Sequence, residues 1–149
     1  MRFTKMHGLG NDFLVIDGRE LANIDYGAMA VKECARHTGV GADGILVVEN
    51  SDAADIRMRI INSDGSEAEM CGNASRCVGR FAWEHALTDR PVIRLETLAG
   101  VKLLQRVDDA GGCPSRVCVD MGTPELARQP IPVRPDTTSD PESPCIGQP

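Results

Sequence analysis

The sequence predicts an α+β fold in which a curved, mainly antiparallel sheet or partial barrel wraps one central helix. Two observations carry this expectation. Short apolar or alternating segments recur along most of the chain, separated by turns rich in Gly, Asp and Asn. One stretch, beginning at Cys71, holds a clear helical period, with Ala74, Cys77, Val78, Phe81, Ala82 and His85 on a single face. The chain of 149 residues suggests one domain. At that size a compact fold buries about 68 to 70% of its unfolded surface. Apolar residues make up 42% of the chain, but with only one Trp, one Tyr and three Phe the core is expected to be aliphatic.

Arg2 to His7 reads as a first strand, with Phe3 and Met6 as its apolar positions. Gly8 to Asp12 forms a tight hairpin connection in which both glycines serve the turn, and Phe13 to Asp17 is a more buried second strand. The Gly-x-Gly here is weak evidence for phosphate binding, because neither lysine nor helix follows in the required order. Asp25 to His37 is a helix capped by Asp25, with Ala28, Val31, Ala35 and Cys34 toward one face. Thr38 to Gly44 carries three glycines and is a loop; Ile45 to Glu49 then resumes a strand. After a turn at Asn50 to Ala54, Ile56, Met58 and Ile60 alternate with polar neighbours in a half-buried strand that pairs antiparallel with its predecessor. That strand delivers Asn62 to the polar segment NSDGSEAEM.

The Cys71 helix ends at Thr88 to Pro91, since proline disfavours helical backbone in the residue before it. Gly79 inside that helix costs up to about 1 kcal/mol relative to Ala, which points to a close contact with a neighbouring strand. Three more strands follow, at Val92 to Thr97, Val101 to Val107 and Arg116 to Met121. Residues 1–122 form the folded lobe. From Thr123 the character changes, because seven of the nine prolines lie between Pro124 and Pro149, and 123–149 is expected to be a poorly ordered tail.

A net charge of −6 argues against a nucleic-acid partner or an anionic membrane surface. No apolar run approaches the roughly 18 residues of a membrane span and MRFTKMHG lacks a secretory apolar region, so the expected location is cytoplasmic. Six cysteines, at 34, 71, 77, 113, 118 and 145, would stay reduced there. None forms a CxxC pair, and no metal is expected.

Candidate chemistry centres on MCGNASRC, Met70 to Cys77. Cys71 falls at the first helical turn, where backbone N–H groups lack intrahelical partners and the helix dipole favours a thiolate. Cysteines in such positions exchange protons near neutral pH, which suits a general acid or base. Gly72 lets a ligand approach the backbone, and Asn73 offers a donor and an acceptor beside the sulfur. By chemistry alone the position fits a reactive thiol and a small buried helix cap about equally.

Three stretches together resemble the diaminopimelate epimerase family: KMHGLGNDF (Lys5 to Phe13), GVGADG (Gly39 to Gly44) and NSDGSEAEMCGNASRC (Asn62 to Cys77). The resemblance implies a cofactor-independent enzyme interconverting LL- and meso-diaminopimelate in lysine biosynthesis. It implies two similar lobes, each contributing one cysteine to the substrate α-carbon. Cys71 matches the first catalytic cysteine, and Asn11, Asn62, Gly72 and Asn73 match substrate-binding residues for a small amino acid. Some family members carry a glutamine at the position of Gly44, which is therefore left out of the site. Nothing after Met121 resembles the second cysteine motif, and Cys77 lies about 240° around an ideal helix from Cys71. The chain is thus expected to be a first lobe, whose partner is a second lobe or a second copy. The competing readings are a related racemase or isomerase of the same fold and a non-catalytic fragment.

Overall fold

Two uninterrupted apolar runs, Phe13 to Ile16 and Ile45 to Val48, belong to strands covered on both faces, where apolar residues need not alternate. In the computed structural model, which describes residues 1–107 and 116–124, these strands are β2 (Asn11–Asp17) and β3 (Gly44–Glu49). Phe13, Val15, Leu46 and Val48 face one core; Leu14, Ile16, Ile45 and Val47 face another.

β1 (Thr4–Gly8) pairs antiparallel with β2. Leu9 and Gly10 between them have φ of 56° and 89°, the positive values that a two-residue hairpin turn matching the strand twist requires. β4 (Ile56–Asn62) lies antiparallel to β3, with Asn62 opposite Gly44. Its other edge is shared. Ile60 and Ile61 pair with the short β5 (Glu67–Ala68), whereas Ile56 and Arg57 run parallel to β6 (Val92–Thr97). β7 (Gly100–Val107) and β8 (Arg116–Val119) complete an antiparallel meander, giving the order β1-β2-β3-β4-β6-β7-β8.

The strongly amphipathic stretch becomes α2 (Gly72–Glu84), which touches β1, β2, β3, β4, β7 and β8. A helix in contact with both ends of a sheet and its middle must be wrapped by it, so the sheet curls as expected. Ala74, Cys77, Val78, Phe81 and Ala82 fill the enclosed core with Met58, Ile93, Leu95 and Leu104. A Cβ at Gly79 would lie 3.1 Å from both Leu104 Cδ1 and Val117 Cγ1, so the absent side chain brings the helix against β7 and β8. The second, smaller core lies on the outer face under α1 (Tyr26–Glu33).

The sheet is mainly antiparallel, as expected, with parallel joints at β2–β3 and β4–β6, because each of these pairs is joined by a long connection carrying a helix, which returns the chain in the same direction. Other expectations change. α1 stops at Glu33 rather than His37. The glycine loop takes over its last carbonyls, with Gly41 N–H donating to Glu33 and Ala42 N–H to Cys34. Its buried stripe is Tyr26, Ala30 and Cys34, while Val31 is exposed, because the large Tyr26 ring sets the face; Arg59 stacks over it at 5.6 Å. His85 leaves the α2 stripe to become its C-cap, stacked on Phe81, and Trp83 is buried instead. The proline-rich segment beyond Pro124, Cys113 and Cys145 lie outside the described residues.

Candidate functional site

The polar segment before α2 ends at Cys71, which occupies the N-cap in extended conformation (φ −149°, ψ 118°) and makes no side-chain cap bond. Its carbonyl accepts from the Ser75 N–H at 2.9 Å and the Ser75 hydroxyl at 3.0 Å. The backbone thus starts the helix while the half-buried sulfur remains available. Asn11 Nδ2, from the start of β2, points a donor at Cys71 Sγ from 3.8 Å. The first turn of α2, which follows directly, begins with backbone N–H groups that have no intrahelical partner.

Gly72 and Asn73 form that first turn. The Arg76 guanidinium donates to Asn73 Oδ1, which leaves the amide nitrogen as that side chain's donor. A Cβ at Gly8 would sit 2.9 Å from the Asn73 carbonyl oxygen and 3.1 Å from Asn73 Cα. Gly8 therefore permits the close approach of β1 to the helix start; of the two hairpin glycines, only Gly10 adopts the positive φ of the turn. Met121, beyond β8, flanks Gly72, its sulfur 3.4 Å from where a Cβ would be.

Asn62 reaches the same end of the sheet by register, since Phe13, Gly44 and Asn62 form one row across β2, β3 and β4. Its side chain is held within its own loop, donating to Ser66 Oγ at 3.0 Å. The hydrogen bonds of the site thus join Asn11 to Cys71 and order Asn73, while Asn62 presents its remaining amide oxygen separately. At Gly44 a Cβ would lie 2.6 Å from the Ile61 carbonyl, so the strand pairing itself occupies the space where a side chain would begin.

The other described cysteines differ in setting. Cys77 is in the enclosed core, and burial pushes its thiol up to about 11. Cys34 is buried beneath α1 and its thiol is also raised by burial. Cys118 is exposed on β8. Among the described residues no three His, Cys, Asp or Glu side chains are placed to hold a metal ion. Sequence reasoning missed Arg76, three residues after Asn73 on the helix, and the ion-paired group of Asp12, Arg36 and Asp43 beside Asn11. Both lie inside the motifs or next to them, but only their spacing in the fold shows what they touch.

A sulfur flanked by fixed N–H donors can remove a proton next to a carboxylate and stabilise the resulting negative charge. One sulfur reaches one face of that carbon.

A family model described as diaminopimelate epimerase matches residues 3–127. Curated relatives carrying that name include the proteins of Heliobacterium modesticaldum, 47% identical over 99% of this chain, and Caldanaerobacter subterraneus subsp. tengcongensis, 53% identical over 90%. The matched regions cover 52% and 48% of those proteins, so the chain spans about half the length of the curated relatives it matches. Among solved structures, a Bacillus anthracis phenazine biosynthesis protein of the PhzF family aligns over 75% of this chain and 38% of its own, with TM-score 0.58 and 24% identity. A probable proline racemase from Agrobacterium radiobacter K84 aligns over 74% and 38%, with TM-score 0.59 and 18% identity. These two share the fold.

Proposed function

Since the chain belongs to the diaminopimelate epimerase family, we propose that it supplies one half of a cofactor-independent site that interconverts LL- and meso-diaminopimelate for lysine biosynthesis. The observation that carries this is the meeting of Asn11, Cys71 and the first turn of α2 at one end of the curled sheet. Asn11, Asn62, Gly72 and Asn73 bind the substrate's α-amino and α-carboxylate groups through amides and backbone N–H donors. The Cys71 thiolate takes the α-proton, and the electron pair of the broken C–H bond moves into the carboxylate, whose charge those donors stabilise. A second thiol, on the opposite face, then returns a proton to carbon. In the reverse direction the two sulfurs exchange roles.

We assign that second thiol to a second lobe or a second copy of the chain: among the described cysteines Cys34 and Cys77 are buried, and Cys118 alternates on β8 with Val117 and Val119, which pack against the core around α2. The proposed location is the cytoplasm, where thiols stay reduced; no described helix is long and apolar enough to cross a membrane. Neither nucleic acid nor membrane is a proposed partner. A second reading, a half that binds substrate without turnover, is favoured by the chain's coverage of only about half of its relatives.

The test is α-proton exchange of diaminopimelate in D₂O followed by NMR, with Cys71→Ala alongside. Removing a positioned base typically lowers rate by about 10² to 10⁴, and a loss on that scale is the expected result. Exchange that survives Cys71→Ala refutes the assignment of the base. Binding without exchange by the folded wild type establishes the second reading instead, and neither binding nor exchange overturns both.

A further inference from the structure

We propose that Arg36 is a positioning residue that fixes the spacing between Asn11 and Asn62 by clamping Asp12 to Asp43. The inference rests on the reading of those two amides as substrate-binding groups. Arg36 leaves the chain just after α1 and spans both carboxylates: Nη2 lies 2.7 Å from Asp12 Oδ1 and 2.7 Å from Asp43 Oδ1, and Nη1 is 3.3 Å from Asp12 Oδ2. Beneath it the two aspartates exchange hydrogen bonds, one backbone to backbone and one from backbone to carboxylate. Asp43 N–H donates to the Asp12 carbonyl at 2.8 Å, and Asp12 N–H donates to Asp43 Oδ2 at 3.1 Å. The Asp43 carbonyl then accepts from Ser63 N–H at 3.1 Å.

One continuous path therefore runs from Asn11 through Asp12, Asp43 and Ser63 to Asn62. It crosses the ends of β2, β3 and β4, just beyond the last β2–β3 and β3–β4 pairs, Phe13 with Gly44 and Gly44 with Asn62. Two carboxylates meet in the middle of this path, and their mutual repulsion would spread the strands if no cation bridged them. Arg36 supplies that bridge with the forked geometry that lysine lacks. Lys5 adds a second cation from β1, 3.3 Å from Asp12 and 2.5 Å from the Gly41 carbonyl. Gly41, at φ +79°, lets the loop fold back on Arg36, where a Cβ would lie 3.0 Å from the Arg36 Cα. Asp12 is held well below the usual carboxylate range, chiefly by its bonds to Arg36, so this carboxylate stays charged at neutral pH.

The arginine side chain is 55% exposed, and exposed ion pairs contribute little to overall stability. The effect is geometric. In the folded chain, Arg36→Met is expected to shift the side-chain amide resonances of Asn11 and Asn62 while leaving those of Asn73, which is held by Arg76, in place. Because Asn11 donates to the Cys71 sulfur, the rate of Cys71 alkylation by iodoacetamide, read site by site by mass spectrometry, should change by about 2- to 10-fold, the scale of one hydrogen bond. Arg36→Lys should recover part of both effects, since it keeps the charge but not the fork. Unchanged amide resonances and an unchanged Cys71 rate in Arg36→Met overturn the clamp, as does an equal displacement of Asn73, which would indicate general loosening. Both readouts work without substrate. Failure of the wild type to bind diaminopimelate would refute the functional reading and leave the clamp standing or falling on these two measurements.

Discussion

Replacing Gly8 by alanine should separate the two duties of the hairpin glycines. The added Cβ would stand 2.9 Å from the Asn73 carbonyl oxygen and 3.1 Å from Asn73 Cα and Cβ, contacts too close for real Cβ atoms at the first distance and tight at the others. Two of those atoms are backbone, at the start of α2, and cannot rotate away. Forcing extra volume into a packed site costs about 1–3 kcal/mol, while the lost flexibility of the unfolded chain returns about 0.4–1 kcal/mol. A net loss of about 1–2 kcal/mol corresponds to roughly 4–8 °C in Tm for a domain of this size. Gly10→Ala is the control. Gly10 has φ +89° with nothing within 4 Å of a new Cβ, so that variant suffers backbone strain alone, of order 1 kcal/mol. Thermal unfolding should show both variants destabilised, whereas ¹H–¹⁵N NMR should show Asn73 and Arg76 displaced in Gly8→Ala only. Wild-type stability with unmoved Asn73 resonances in Gly8→Ala would refute the reasoning, and so would equal displacement in Gly10→Ala.

Leu104 is fully buried against the helix at Gly79, and Leu104→Ala should lower the urea-unfolding free energy by about 2–5 kcal/mol; a loss below 1 kcal/mol would mean the enclosed core collapses around the gap. Site-resolved alkylation at pH 8 should modify Cys71 and exposed Cys118 well before Cys34 and Cys77, whose thiols are buried and raised. Equal rates at Cys77 and Cys71 would contradict the packing of α2. Asp12, Asp17 and Glu67 have carboxyls lowered in the folded state chiefly by Arg36, Arg19 and Arg59. Groups lowered on folding stabilise above the unfolded value of about 4 and lose that contribution as pH falls through the folded one. Stability should therefore decline on acidification below about pH 4.5. The stability difference between wild type and Arg36→Met, small because the pair is exposed, should shrink as pH falls from about 4 toward 2 and Asp12 loses part of its paired charge, and a difference that widens would reverse the assignment.

Most elements were legible because they rest on neighbours in the chain. The continuous runs Phe13 to Ile16 and Ile45 to Val48, the alternation from Ile56 to Ile60 and the stripe from Ala74 to Ala82 are local periodicities, and burial followed them. Cys71 at the start of a helix was visible for the same reason: a turn-rich segment meets an amphipathic one there. The buried stripe of α1 was misread because short apolar residues lie on more than one face, and the choice fell to the Tyr26 ring and its stacking under Arg59.

Local pattern therefore determined the strands, the central helix and the position of the candidate thiol at its first turn. Tertiary structure decided which strands run parallel, which glycine serves the turn and which the approach to Asn73, and how Arg36 ties Asp12 to Asp43. It also brought Asn11 to a sulfur 60 positions away. The physical reason is common to all of these. Periodicity records which face of an element is buried, whereas a hydrogen bond or a close approach between distant segments depends on the packing of every element between them.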